Sequence, residues 1–335
     1  MSGRNRHYAK GPDKMKLELM IQHGGKIQKP PIADGVSIEW ERKGQAGKMV
    51  FTVVKTDALK FAEGDAVKFS VDGKALFKGF VFNKARTGLE KKTIDVTCYD
   101  QLYYLTKNKE TYVLENKTAA DVVRMVCEDF GLKFGVIMPT PYMMESRVED
   151  NAGLLDIIQT SLDLTQDATG MVYTVYDNAG KLVLMNDASM TITDVVNISN
   201  TGDFDYSTSI DEETYNRVNL IQEKDDNRKV FTAQDPQNMA KWGVLQYTDK
   251  LDGDETGGQA KAQAILAQMN RKKRTLAVND IIGNTKVRGG TILPVVLGLG
   301  DMNLSAFMRV EQVQHVFTEN KHTMSLRLSG GAFSE

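Results

Sequence analysis

Apolar and polar positions alternate with a period of two through the first third of the chain. Met15, Leu17, Leu19 and Ile21 share one face, and Val36, Ile38 and Trp40 do the same further on. This is the signature of half-buried strands, whose successive side chains point to opposite sides of a sheet. Lys48–Val54 has little polar interruption and reads as another strand. Asp72-Gly73 separates two apolar runs, a strong hairpin signal. Ile94, Val96 and Cys98 close the segment on one face. Short strands with regular turn signals predict a sandwich or small barrel over residues 15–105, preceded by a flexible arm at residues 1–14.

The period then changes. Thr118 can cap a helix, with Asp121 placed to complete a capping box. Ala119, Val122, Val123, Val126 and Phe130 follow at helical spacing, and Gly131 supplies the stop. A second helix is predicted from about Asn151 to Gln166, burying Leu154, Leu155, Ile158 and Leu162. A hairpin follows, turning at Asp177-Asn178-Ala179-Gly180. Residues 106–200 are therefore expected to form a mixed α/β domain.

The remainder, residues 201–335, returns to strands with one inserted helix, on which Ala262, Leu266 and Met269 face inward. Met308 and Val310 share one face, yet Val313, His315 and Phe317 continue in the opposite phase, which predicts a bulge near Glu311 and Gln312. Met324, Leu326 and Leu328 line the last strand. The run beginning Gly64-Asp65 and the run beginning Gly289-Gly290 echo one another: glycine, strand, strand with an early Phe, polar turn, strand. The echo points to two related β-domains flanking the α/β segment. The fold class is thus α+β, predominantly β.

Composition adds bounds. With 335 residues, 41% apolar and 26% charged, the chain suits two or three ordinary domains. No run of about 18 apolar residues suggests a membrane span, and no membrane partner is expected. The net charge of −2 hides an asymmetry. The basic Arg4, Arg6, Lys10 and Lys14 open the chain, residues 201–260 are acidic, and Arg271-Lys272-Lys273-Arg274 is basic again. That run could bind nucleic acid, but it stands at the end of a predicted helix, where cations favour the dipole. No nucleic-acid partner is expected, and opposite-sign patches suit subunit contacts. Cys98 and Cys127 read as buried thiols, although pairing between them stays open. His7, His23, His315 and His322 lack metal-pair spacing.

A search for chemistry finds no nucleophile elbow, metalloprotease motif, redox cysteine pair or phosphate loop. Gly298–Gly300 is not followed by a helical pattern, and Val287–Gly290 reads as a tight turn. Asp203, Asp205, Asp211, Glu212 and Glu213 could supply the two carboxylates of a glycosidase, but they read better as a solvated acidic loop. Asp225–Asn227 and Asp252–Thr256 could hold calcium through oxygens, yet they read better as polar turns. Tyr99, Tyr103 and Tyr104 suit either a sugar-stacking surface or the packing of a domain junction. Trp242 is open between core and interface. No catalytic, cofactor-binding or metal-binding residue is assigned, and no cofactor is expected.

The runs Thr97–Val113 and Asn116–Leu132, followed in order by 153–165, 173–184, 213–221, 241–246 and 322–330, carry a family likeness. The chain resembles the XkdQ-like and late control gene D-like baseplate hub proteins of contractile phages, defective prophages and tail-like bacteriocins. The resemblance implies two tail-tube-like β-domains with intervening α/β material. It implies a homotrimer at the end of the tail tube, in a virion baseplate or tail-like particle assembled in the host bacterial cytoplasm. The implied partners are the tail tube protein, a spike or tail lysin protein and baseplate wedge proteins. Glu335 lies a few residues past the last strand, so a hub without an appended lysin domain is expected. The competing expectation is a peptidoglycan hydrolase or cell-wall-binding module at the tail tip.

Overall fold

The computed structural model describes residues 15–86, 92–197, 204–211, 213–224, 227–251, 253, 257–298 and 303–330. The arm at residues 1–14 lies outside them. The first β segment holds β1 (Leu17–His23), β2 (Lys26–Gln28), β3 (Ile32–Glu41), β4 (Lys48–Val54), β5 (Ala66–Val71), β6 (Lys74–Ala85) and β7 (Thr93–Tyr99). They pair in the order β2-β1-β5-β6-β7-β4-β3. The β5–β6 turn is tight because Asp72 and Gly73 both take positive φ, 49° and 81°, as a two-residue turn matched to strand twist requires.

The α/β unit contains α1 (Leu102–Lys107), β8 (Lys109–Leu114), α2 (Ala119–Asp129), β9 (Phe134–Ile137), β10 (Arg147–Gly153), α3 (Leu154–Thr169), β11 (Tyr173–Asp177), β12 (Leu182–Asn186) and α4 (Asp187–Met190). The capping box forms: the Thr118 hydroxyl accepts from Asp121 N, and the Asp121 carboxylate accepts from Thr118 N at 3.0 Å. Apolar faces of α2 and α3 bury Val122, Val126, Leu154 and Ile158 in one core. α3 starts later than the sequence pattern suggests. Asn151 takes a φ of 48° inside β10, so helical geometry begins only at Leu154.

The last segment holds β13 (Val196–Asn197) and β14 (Phe204–Ser209), then β15 (Arg217–Lys224), β16 (Asn227–Gln234), α5 (Pro236–Trp242), β17 (Gln246–Leu251) and α6 (Gly258–Met269). It closes with β18 (Lys273–Ile282), β19 (Ile292–Gly298), β20 (Asn303–Phe317) and β21 (His322–Ser329). The expected single inserted helix is in fact a unit of its own. β15, β16 and β17 form a separate sheet, and α6 packs on it around Val218, Leu220, Ala233, Leu251 and Ala262. Of the residues expected to face inward on α6, Ala262 is buried, while Leu266 and Met269 pack at the margin.

The remaining strands join the first segment in one 13-stranded sheet, β14-β18-β21-β20-β3-β4-β7-β6-β5-β1-β2, with β19 and β13 branching from β20. The path is open, with β14 and β2 at its ends, so the expected barrel closure is absent among the described strands. A barrel needs its first and last strands to pair, and here they do not. The sheet still folds over one shared core. Phe69 on β5 and Phe317 on β20 lie far apart in the strand order, yet their ring centroids are 5.3 Å apart.

The internal echo corresponds to a duplicated topology. β1, β3, β4, β5, β6 and β7 are matched, in chain order, by β13, β14, β18, β19, β20 and β21. The strand order β3-β4-β7-β6-β5-β1 is matched by β14-β18-β21-β20-β19-β13. The one difference in sense is that β13 runs parallel to β19 whereas β1 runs antiparallel to β5. Both third-from-edge strands carry a bulge, at Val81/Asn83 in β6 and at Val310/Gln312 in β20. The latter is the phase slip visible in the sequence. Backbone bonds repeat as well. Val81 exchanges bonds with Gly64 and Asp65 as Val310 does with Gly290 and Thr291. The inserted unit occupies the place of the short β3–β4 loop.

Candidate functional site

The two β units meet where the second half of β20 pairs with β3, from Gln312↔Glu41 to Phe317↔Val36. Gly35 is required here. Its φ is 97°, and a Cβ would stand 2.5 Å from the Phe317 carbonyl oxygen. The extra residue of the bulge, Glu311, is held across the seam by the Arg42 Nε–H at 2.7 Å and by the Ser329 hydroxyl. Burial alone would raise the Glu311 carboxyl, but Arg42, Ser329 and Arg309 together hold it below its ordinary range.

Two histidines fill the seam beneath the bulge. His315 Nε2 faces the Val287 carbonyl at 2.9 Å and must donate to it. Its Nδ1 then accepts from His322 Nε2, also at 2.9 Å. Both rings are neutral in this arrangement. Burial pushes His315 down to about 3 and His322 down to about 4. A histidine depressed in the folded state stabilises fully above its unfolded value of about 6.5, and the benefit is lost as pH falls through the folded value. The His322→Gln variant is therefore expected to show a flatter acid limb between pH 6.5 and 4. Allowing for partial solvent screening, the difference is about 2 kcal/mol. Urea unfolding of both proteins across that range reads it; parallel limbs would refute the pairing.

A third contact ties the α/β unit to the same seam. Arg288, in the turn between β18 and β19, lies 4.0 Å from the Tyr176 ring centroid and 5.0 Å from that of Trp40. Its Nη2 donates to the Asp177 carbonyl at 3.1 Å. The Asp177 carboxylate accepts from Gly180 N and from Gln101 Nε2, and Gln101 also bonds both backbone groups of Lys133. Asp100 is 1% exposed, and its two oxygens accept from Gly47 N and Leu102 N, each at 3.0 Å. Burial, and then the Asp177 charge, raise the Asp100 carboxyl, while burial raises that of Asp177. Gly289 lets this turn dock, since a Cβ there would lie 2.5 Å from the Glu41 backbone.

Buried groups with shifted titration beside a cavity are the usual mark of a catalytic centre. A cavity of about 1280 Å³ does adjoin this one, lined in part by Trp40, Tyr176, Lys286, Arg288 and His322. Each Asp100 oxygen is already used by a backbone donor, and both His315 nitrogens are bonded within the protein. The cluster clamps three parts of the chain together.

The residues weighed in the sequence fall elsewhere. Asp205, Asp211 and Glu213 are exposed, and Asp203 and Glu212 lie outside the described residues. So do Asp225, Asp226, Asp252 and Asp254–Thr256, together with Leu299 and Gly300. Cys98 and Cys127 are both free, in separate cores, and burial raises both thiols, that of Cys127 to about 12. Tyr99, Tyr103 and Tyr104 pack with Phe82 at the junction of β6, β7 and α1, with Tyr99 stacked on Tyr103 at 4.6 Å. Trp242 ends α5, half-buried. The basic run begins two residues past the end of α6 and continues into β18, and the last turn of α6 carries no basic residue. Among the described residues no cluster of metal-ligating side chains occurs, and no helix is long and apolar enough to cross a membrane. Sequence reasoning missed Arg288; its only signal was an arginine ahead of two glycines.

The YQBQ-like family matches residues 36–329, nearly the whole span of the large sheet. The chain belongs to the YQBQ-like family. Among its relatives is the phage-like element PBSX protein XkdQ of Bacillus subtilis, 33% identical over 88% of this chain and 91% of the relative. The fold is shared with solved structures of tail proteins. The tail protein of Neisseria meningitidis MC58 superposes with a TM-score of 0.66 at 13% identity, covering 94% of this chain and 96% of its own. The E. coli c3393 protein, described as a type VI secretion component similar to T4 tail proteins gp27 and gp5, gives 0.56 at 9% identity over 95% and 77%. The chain thus belongs to the YQBQ-like family and shares its fold with solved tail proteins.

Proposed function

We propose that the chain is the structural hub subunit of a contractile tail or tail-like particle. It assembles as a homotrimer at the baseplate, joins the tail tube to the central spike or tail lysin, and meets wedge proteins at its flanks. The observation that carries this reading is the duplicated β unit. One chain holds two units of equivalent topology side by side in one sheet. A trimer then presents six such units around its axis, which adapts a threefold object to a sixfold tube. The relation of c3393 to T4 tail proteins supports the same placement. Light scattering over a concentration series, alone and after co-expression with the neighbouring tail proteins, tests it. A mass of three chains in either condition is expected, and a monomer in both would overturn the reading.

The chain acts by holding parts together and not by turnover. Purified protein is expected to release no peptidoglycan fragments above background, with Asp211→Asn and Glu213→Gln indistinguishable from it. Cleavage abolished by those changes would instead favour a tail-tip hydrolase.

A further inference from the structure

The duplication makes a statement about how copies meet. Inside one chain, the second unit receives β3, the edge strand of the first, along β20 beyond its bulge. Among the described strands, the corresponding positions have no neighbour within the chain. No described strand pairs with β14 on the side away from β18, or with β6 beyond Val81 on the side away from β7. Unpaired strand edges of this kind are templates for another strand. β14 is the counterpart of β3, and the end of β6 is the counterpart of the end of β20.

The register follows from the ladders. Ile38 leads through Met49 and Cys98 to Val81, as Tyr206 leads through Leu276 and Leu328 to Val310. Ile38 and Tyr206 are therefore equivalent, and so are Glu39 and Ser207, Trp40 and Thr208, and Glu41 and Ser209. On the receiving strand, Asn83, Lys84 and Ala85 stand for Gln312, Val313 and Gln314. In the chain, Gln312 opposes Glu41, Val313 opposes Trp40 and Gln314 opposes Glu39.

We propose that β14 of one copy adds antiparallel to the end of β6 of the next copy in this inherited register. Asn83 then opposes Ser209, Lys84 opposes Thr208 and Ala85 opposes Ser207 of the neighbouring chain. The contact rests on the trimeric hub reading and supplies the interface that it leaves open. It is head-to-tail, as closure of a ring requires. It also gives the β14 edge and the open end of β6 a common partner, a second copy of the same protein. Ile210 takes the place of Arg42, and Phe82 the place of Glu311, so the ion pair of the internal seam becomes an apolar contact between chains.

Paired cysteines test this directly. Ala85 and Ser207 are both exposed, and directly opposed residues of an antiparallel pair lie within disulfide reach. After mild oxidation of the full-length Ala85→Cys/Ser207→Cys variant, co-expressed with its tail neighbours, a covalent ladder ending at three chains is expected on a denaturing gel. Ala85→Cys/Thr208→Cys, one residue out of register, should link at least tenfold less. A particle holding three chains that gives no ladder overturns this interface and leaves the hub reading standing. Chains that are monomeric throughout overturn both.

Discussion

Replacing Phe317 with alanine is expected to lower the unfolding free energy by about 4 kcal/mol, the range for deleting a large buried ring. Phe317 is fully buried and meets Phe69 at 5.3 Å and His322 at 4.1 Å. It sits on the strand that both β units share, so the cavity would open in the core common to them. Urea should melt the two β units together at an earlier midpoint, because no boundary in their common core lets one melt alone. A variant whose two β units, followed by probes placed in each, unfold at separate midpoints would show that the shared core does not couple them. Phe307 serves as the control. It stands on the same strand but is 56% exposed, so its alanine variant should lie within about 0.5 kcal/mol of the parent.

Arg288→Ala is expected to cost about 3 kcal/mol, because it strips a shared buried cation from two buried carboxylates. Part of that cost is relieved by proton uptake, since Asp100 and Asp177 already sit above their ordinary range. The sign follows. A carboxyl raised on folding destabilises as pH climbs through its folded value, and losing Arg288 raises it further. The deficit of the variant should therefore shrink as pH falls from 7 toward 5. Denaturation at both pH values checks it, and a deficit independent of pH would mean that Arg288 contributes only its stacking on Trp40 and Tyr176.

Much of this architecture was legible in the sequence because its strands are amphipathic. The phase slip between Val310 and Val313 is visible as a broken alternation and corresponds to the bulge that lets β20 change partner from β19 to β3. The capping box at Thr118 and the Asp72-Gly73 turn were equally plain, because each depends on local chemistry. That the inserted strands form a sheet of their own was not. β17 reads Gln-Tyr-Thr-Asp-Lys-Leu, with only Leu251 buried, so it has no period to detect. β14 is similarly polar, an edge strand with one neighbour among the described strands. The clamp at Arg288 was hidden for a different reason. Its partners come from positions 40, 100, 176 and 177, and only the folded chain brings them together. The sequence echo suggested a duplication, but the equivalence of individual residues needed the ladder registers.

The hub reading is tested most directly by imaging assembled tail tips and counting the copies of this chain around the tube axis. Three copies, contributing six β units between the last tube ring and the spike, are the predicted result. Six copies stacked along the tube, or a peripheral position away from the axis, would contradict it.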